Sequence, residues 1–279
     1  MDVIPQTAHW VIFTDLDGTL LDHYDYSHAA AQPALDWLHS RSIPVILTSS
    51  KTFPELKALA ADLGLEYPVI GENGAFIAWP TGFALTAPHD EEKQGFRFKY
   101  FGQSYQEIEA VLHTLRENPR FRFSGFADWS VKELMQRTGL SEAAAIMAKE
   151  REASEPIRWQ GHDAALADFR SALEAQGLRL VRGGRFYHVM GQTSKRRAME
   201  WLNAALEAQR GNATFSIALG DGPNDLEMLE AADVSIVVAN PDSDPVEPRA
   251  RQLIRTQAIG PAGWNEAIQQ IRNEGEQHE

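Results

Sequence analysis

The stretch "VIFTDLDGTLLD", Val11–Asp22, poses the question on which the fold turns. Around it, "WVIFTD" (Trp10–Asp15) is a continuous apolar and β-branched run, the pattern of a strand buried on both faces. The run ends in Asp15 and Asp17, two positions apart, followed by Gly18 and Thr19. Two carboxylates this close repel each other, and burying either one is costly. A cation, a turn or a reaction has to compensate, and the rest of the chain decides which.

Working outward, short apolar runs alternate with helical patterns. "IPVILTSS" (Ile43–Ser50) predicts a second strand, and "FPELKALAADLGL" a helix closed by Gly64. "YPVIGENGAFIA" (Tyr67–Ala78) predicts a strand, a turn at Glu72–Gly74 and another strand. "TFSIALGDG" and "VSIVVAN" are short apolar strands flanking the helical "NDLEMLEAA". Strands alternating with helices predict an α/β fold: a Rossmann-like core with a parallel sheet and helices on both faces. The middle differs. "GFRFKYFG", several helical segments, "RLVRGG" and "RFYHVMG" predict α+β structure with antiparallel strands. We therefore expect a core built from residues 1–85 and 188–279, with an α+β cap domain inserted at 86–187. Links near Pro88 and Arg185–Gly191 are the expected hinges.

Composition narrows the classes of function. The 279 residues suit one large or two ordinary domains, and 43% hydrophobic with 23% charged residues is ordinary for a soluble globular chain. There is no cysteine, which removes disulfides, thiolate catalysis and cysteine-based zinc sites. Nine histidines form no His-x-x-x-His pair. A net charge of −13 is the wrong sign for a nucleic-acid surface. No basic region followed by an apolar run opens the chain, and no stretch approaches about 18 apolar residues. The expectation is a cytoplasmic protein with no membrane or nucleic-acid partner.

The chemistry-bearing residues all follow predicted strands: Asp15 and Asp17; Thr48, Ser49, Ser50 and Lys51; Glu72 and Asn73; Asp221 and Asp225. Ligands of an open parallel sheet sit beyond the carboxyl ends of its strands, so these positions converge. A cluster of Asp15, Asp17 and Asp221 demands a cation, and oxygen-only ligands select a hard one, Mg²⁺. Lys195, in "GQTSKRRAM", opens a helix and can neutralise a carboxylate or a phosphate oxygen; Arg196 and Arg197 are rival cations. Among the hydroxyls, Ser49 is the first choice for a phosphate donor, with Thr48 and Ser50 as rivals.

"DLDGT", a strand ending in Ser or Thr, a lone Lys and "GDGPND", in that order, resemble the haloacid dehalogenase superfamily of phosphohydrolases. The resemblance implies that Asp15 is a nucleophile forming an aspartyl-phosphate. It makes Asp17 the general acid and base, and Lys195 a catalytic cation. It implies a metal held by Asp15, by the Asp17 backbone carbonyl and by Asp221, with Asp225 a ligand or the residue that orients one. Ser194 stands where the superfamily often has Asp or Asn. "SSKT", "ENGAFI", "RTGLSEAAAIMAKEREASEP" and "RGGRFYHVMG" further resemble the mannosyl-3-phosphoglycerate phosphatase family. That resemblance implies Mg²⁺-dependent hydrolysis of 2-O-mannosyl-3-phosphoglycerate to mannosylglycerate, a compatible solute. The rivals are a phosphatase of glucosyl-3-phosphoglycerate or of a hexose phosphate, a phosphomutase, and a non-catalytic phosphosugar-binding protein. Such a substrate carries phosphate, carboxylate and sugar, and arginine forks suit a carboxylate. Arg151, Arg182, Arg185 and His188 are the cap candidates, Ser49, Ser50, Lys51 and Asn73 those of the core, with Gly183 and Gly184 allowing close approach of an anion. Trp129, Trp159 and Phe186 are expected in the cap core.

Overall fold

A computed structural model describes residues 9–183 and 185–276. The first eight residues, read above as carrying no leader, and Gly184 lie outside the described residues. The chain opens with β1 (Trp10–Thr14), α1 (Gln32–Ser40), β2 (Val45–Thr48), α2 (Phe53–Asp62), β3 (Val69–Gly71) and β4 (Phe76–Pro80). Next come β5 (Glu91–Lys93), β6 (Phe96–Tyr100), α3 (Tyr105–Leu115), β7 (Phe123–Gly125), α4 (Val131–Thr138) and α5 (Glu142–Lys149). β8 (Ser154–Trp159), α6 (Asp163–Glu174), β9 (Leu178–Arg182), β10 (Tyr187–Gly191) and α7 (Lys195–Arg210) follow. The chain closes with β11 (Phe215–Gly220), α8 (Leu226–Ala231), β12 (Val234–Ala239), β13 (Leu253–Ile259) and α9 (Gly260–Glu276).

The large sheet has the order β13-β12-β11-β1-β2-β3-β4-β6-β5. It is parallel from β13 to β3 and antiparallel from β3 to β5. Alternate residues of β1 face opposite cores. Trp10 and Ile12 pack with Leu38 of α1, Leu56 of α2 and Trp264 of α9. Val11 and Phe13 pack with Met199 and Leu202 of α7 and Met228 of α8. That two-sided burial is why the strand reads as a continuous apolar run. The small sheet, β7-β8-β10-β9, is antiparallel. α3 and α6 cover one of its faces through Ile108, Leu112 and Phe169. Trp129 sits in a separate cluster with Leu134 of α4 and Ala145 of α5, and Phe186 packs against it.

The sheets divide the chain at other places than 86 and 187. β5 and β6 fall inside the span assigned to the cap, yet they extend the large sheet. The reason is packing. Phe98 of β6 is fully buried, with its ring 4.7 Å from that of Phe53 on α2. Burying one such ring is worth ~1.5–3 kcal/mol. Conversely, all of β10 lies in the small sheet, although its residues from 188 onward were assigned to the core. The two crossings between the sheets are therefore the segments after β6 and after β10: the first lies beyond Pro88, and the second begins where the expected Arg185–Gly191 segment ends. They touch: a Cβ on Gly191 would sit 2.8 Å from the Gly102 Cα. No helix among the described residues is long and apolar enough to cross a membrane.

Candidate active site

The carboxyl ends of β1, β2, β3 and β11 meet at one edge of the large sheet, and the small sheet closes over it around a cavity of about 580 Å³. β1 delivers Asp15, whose backbone N–H donates to the Leu219 carbonyl at 2.9 Å. Gly18, at φ +83°, turns the chain away; a Cβ there would lie 2.3 Å from Asn240 Nδ2. Only glycine combines that conformation with that proximity.

Lys195 is the first residue of α7, capped by Ser194, whose hydroxyl accepts the Arg197 N–H at 3.3 Å. A helix turns its successive residues by about 100°, so only one of three adjacent cations can point inward. Lys195 is that one. Its Nζ lies 2.5 Å from Asp15 Oδ1 and 2.6 Å from Asp225 Oδ1, with its side chain 1% exposed. Arg196 pairs with Glu200 on the surface, and Arg197 donates to the Gln192 carbonyl. Asp225 is fully committed. Its second oxygen accepts the N–H of Asp221 and of Gly222, both at 3.1 Å. Of its two expected roles, ligand or orienter, the contacts favour the second. Asp221 is held by the Thr19 hydroxyl at 2.7 Å and by Asn240 Nδ2 at 2.8 Å.

One ammonium faces three carboxylates here. Burial first, and then repulsion by Asp225, push the Asp15 carboxyl up to about 7 against the pull of Lys195. Burial and then Asp15 raise Asp221 to about 6. Burial opposes the charge of Lys195, but Asp15 and Asp225 outweigh it and raise its pKa. Asp15, Asp221 and Asp225 each offer an oxygen within 4.8 Å of the others. An all-oxygen set with surplus buried negative charge fits a hard divalent cation. Asp17, also expected at the metal, keeps its carboxylate out of this group. Lys51 Nζ donates to its Oδ2 at 2.9 Å, stands 2.9 Å from its Oδ1, and lies 5.4 Å from the centre of the Tyr26 ring.

The remaining expected residues separate clearly. Thr48 is fully buried and its hydroxyl donates to the Ile46 carbonyl at 3.2 Å, whereas Ser49 and Ser50 line the cavity. Asn73 is buried at φ +58° without lining the cavity, and neither of its side-chain polar atoms has a hydrogen-bond partner. His188 lines the cavity, and its Nδ1 is unpartnered. Burial, then the charges of Arg151 and Lys195, depress its pKa to about 3, so the ring is neutral and offers a hydrogen bond rather than a charge. Arg151 lines the cavity but uses Nε and Nη2 on Ser154 and on the Ser50 carbonyl. Arg185 donates to the Thr138 carbonyl at 2.9 Å, and the exposed Arg182 faces Asp244 at 3.7 Å across the mouth. A Cβ on Gly183 would sit 2.8 Å from His188 Nε2.

Several residues at the site escaped the sequence reading. Thr19 was visible within "DLDGT" and Asn240 at the end of a predicted strand, but nothing local gave either a partner. Tyr24, whose hydroxyl donates to Asp242 at 2.6 Å, and Tyr26 line the cavity from an irregular loop that carries no periodic signal. Glu72 was placed correctly at a strand end, yet its partners lie about 80 residues away, in the segment that leads into β8.

The profile of the haloacid dehalogenase-like hydrolases matches residues 12–258. A glucosyl-3-phosphoglycerate/mannosyl-3-phosphoglycerate phosphatase of Methanococcoides burtonii is 38% identical over 94% of this chain and 96% of its own. A protein of the same name from Persephonella marina is 33% identical over 95% and 97%. A haloacid dehalogenase-like hydrolase of Bacteroides thetaiotaomicron superposes with a TM-score of 0.65 at 21% identity, over 94% of this chain and 99% of its own, a likeness of fold. With that profile spanning both sheets and two relatives aligned almost end to end, the chain belongs to the haloacid dehalogenase-like hydrolases and, within them, to the family of these two phosphatases.

Proposed function

We propose that this phosphoric monoester hydrolase is a Mg²⁺-dependent phosphatase of 2-O-mannosyl-3-phosphoglycerate, working through an aspartyl-phosphate. One observation carries the reading: the two carboxylates of "DLDGT" are held by different lysines, Asp15 by Lys195 at the floor and Asp17 by Lys51 at the wall. Equivalent groups would share one cation. Different partners suit different tasks.

Asp15 attacks phosphorus, and the P–O bond to the glycerate breaks as the acyl-phosphate bond forms. The departing alkoxide takes its proton from Asp17. Water then gives a proton back to Asp17 and attacks the phosphoryl group, releasing phosphate and regenerating Asp15. Lys51 holds the Asp17 carboxylate at 2.9 Å, and an anionic substrate would compete for the same ammonium. Lys195 holds the attacking oxygen and offsets charge on the phosphoryl group. Asp15 and Asp221, with the Asp17 carbonyl, would hold Mg²⁺, which would supply neutralisation of charge on the phosphoryl oxygens.

The substrate reading rests on the names of both relatives and on the cavity. Its volume suits a phosphorylated glycosyl-glycerate. Arg185, Arg182 and neutral His188 give it cationic and hydrogen-bonding groups on the small-sheet side for a carboxylate and hydroxyls. Phosphate release from mannosyl-3-phosphoglycerate, glucosyl-3-phosphoglycerate and hexose phosphates, with Mg²⁺ and with chelator, tests it. We expect Mg²⁺-dependent turnover with the mannosyl compound ahead. Preference for the glucosyl compound keeps the chemistry and corrects the sugar; turnover of hexose phosphates alone overturns the substrate class; equal turnover in chelator overturns the metal.

A further inference from the structure

Glu72 sits at the carboxyl end of β3, fully buried, at φ +49°. Asn73 follows at φ +58° and Gly74 at φ +91°. Two successive non-glycine residues in the left-handed region are costly, and such strain persists only where the surroundings over-determine it. The surroundings here belong to the small-sheet body. Glu72 accepts the N–H of Glu152 at 2.7 Å, the N–H of Ala153 at 3.1 Å and the Ser154 hydroxyl at 2.7 Å. Arg151 Nε stands 3.5 Å from the same carboxylate. One core carboxylate thus gathers three hydrogen-bond donors and one guanidinium from the segment that leads into β8.

The same turn holds the loop that ends β2. The Asn73 N–H donates to the Ser49 carbonyl at 2.9 Å, and the Glu72 N–H to the Lys51 carbonyl at 3.0 Å. The carbonyl between them, of Ser50, accepts from Arg151 Nη2 at 3.0 Å. All three consecutive carbonyls are therefore tethered. A trans peptide points its C=O and N–H in opposite directions. Tethering the Ser49 carbonyl accordingly turns the Ser50 amide toward the side where an anion would bind, and tethering the Ser50 carbonyl turns the Lys51 amide onto the Ser49 hydroxyl, to which it donates at 3.4 Å. Two tethers come from the core, and the third comes from the other body.

We infer that Glu72 and Arg151 are positioning residues forming a clasp between the two bodies, which completes the anion-facing form of the Ser49–Lys51 loop only when the cap is seated. Arg151 then acts through the loop rather than on the substrate. The inference rests on the phosphatase reading for its kinetic consequence, but not for its structural one.

The test uses the full chain as Glu72→Gln, Arg151→Lys and Ser154→Ala. Glu72→Gln removes the charge, Arg151→Lys removes the fork, and Ser154→Ala removes one hydroxyl shared by both. Melting temperature and circular dichroism establish which variants fold; if Glu72→Gln does not, the other two carry the test. Hydrogen exchange of peptides spanning 49–52 and 72–74 is read in the absence of substrate. The expected result is exchange about tenfold faster in Arg151→Lys, because one tether is lost. Kinetics are then read with mannosyl-3-phosphoglycerate and with p-nitrophenyl phosphate, which is too small to reach the cap. We expect kcat to fall about 10- to 100-fold on both esters in Glu72→Gln and Arg151→Lys, as for a misplaced reacting group, and a few-fold in Ser154→Ala. Losses confined to the sugar ester, with loop exchange unchanged, overturn the clasp and make Arg151 a substrate contact. If the wild type releases phosphate from neither ester, the functional reading fails, while the exchange experiment still decides the clasp.

Discussion

The floor and the mouth of the cavity are built differently. At the floor, Lys195, Asp15 and Asp225 are at most one-tenth exposed, and each is fixed by two or more partners from separate elements. At the mouth, Arg182 and Asp244 are about two-thirds exposed and meet at 3.7 Å, a pair of the kind that contributes little. Chemistry that needs a fixed geometry sits where burial enforces it. Recognition that has to adapt to an entering ligand sits where side chains are free to move.

The largest way to test that contrast is Asp15→Asn. It is nearly isosteric and keeps the fold, but a carboxamide does not form the acyl phosphate; we expect turnover to drop by at least about 10⁴-fold at an unchanged melting temperature. Activity near wild type would move the chemistry off the floor. Lys195→Met comes next. It strands two buried carboxylates, so stability should fall by about 3–5 kcal/mol in denaturant titration and kcat by about 10²- to 10³-fold. A stable variant would show that the floor is less tightly coupled than its distances indicate. Arg185→Ala at the mouth should raise KM about tenfold for a carboxylate-bearing substrate, with kcat little changed and hexose phosphate unaffected. Arg182→Ala should change KM only about twofold.

A third environment sharpens the comparison by pH. Glu155 is buried in the small-sheet body beneath Tyr105, whose hydroxyl lies 3.0 Å from it, and takes the Ala127 N–H at 2.8 Å. Burial first, with Glu109 adding, raises its carboxyl to about 7. A carboxyl raised above its unfolded value favours the folded state fully below about 4.5, and that contribution is lost as pH rises through about 7. Stability should decline across that window, and Glu155→Gln should flatten the decline. An unchanged slope in the variant would assign the window to another group.

Much of this was legible locally. The run into Asp15 marks a doubly buried strand because such strands need no polar alternation. "DLDGT" and "GDGPND" mark strand ends because glycine and paired acids have little place within a strand. Lys195 was legible as a cation at a helix start, but its choice over Arg196 and Arg197 was not, since that depends on the rotation at which α7 meets the sheet.

The sequence by itself determined the α/β class, the set of acids, hydroxyls and lysine at the sheet edge, and the crowding of carboxylates there. These follow from periodicity and from charge repulsion, which act between near neighbours. Only the tertiary structure decided the partners: Lys51 with Asp17, Asp225 committed to Lys195 and two amides, Thr48 turned inward, β6 joined to the large sheet, and Glu72 bound to the segment before β8. Each is a contact between residues distant in the chain, stabilised by burial that exists only once both elements are in place.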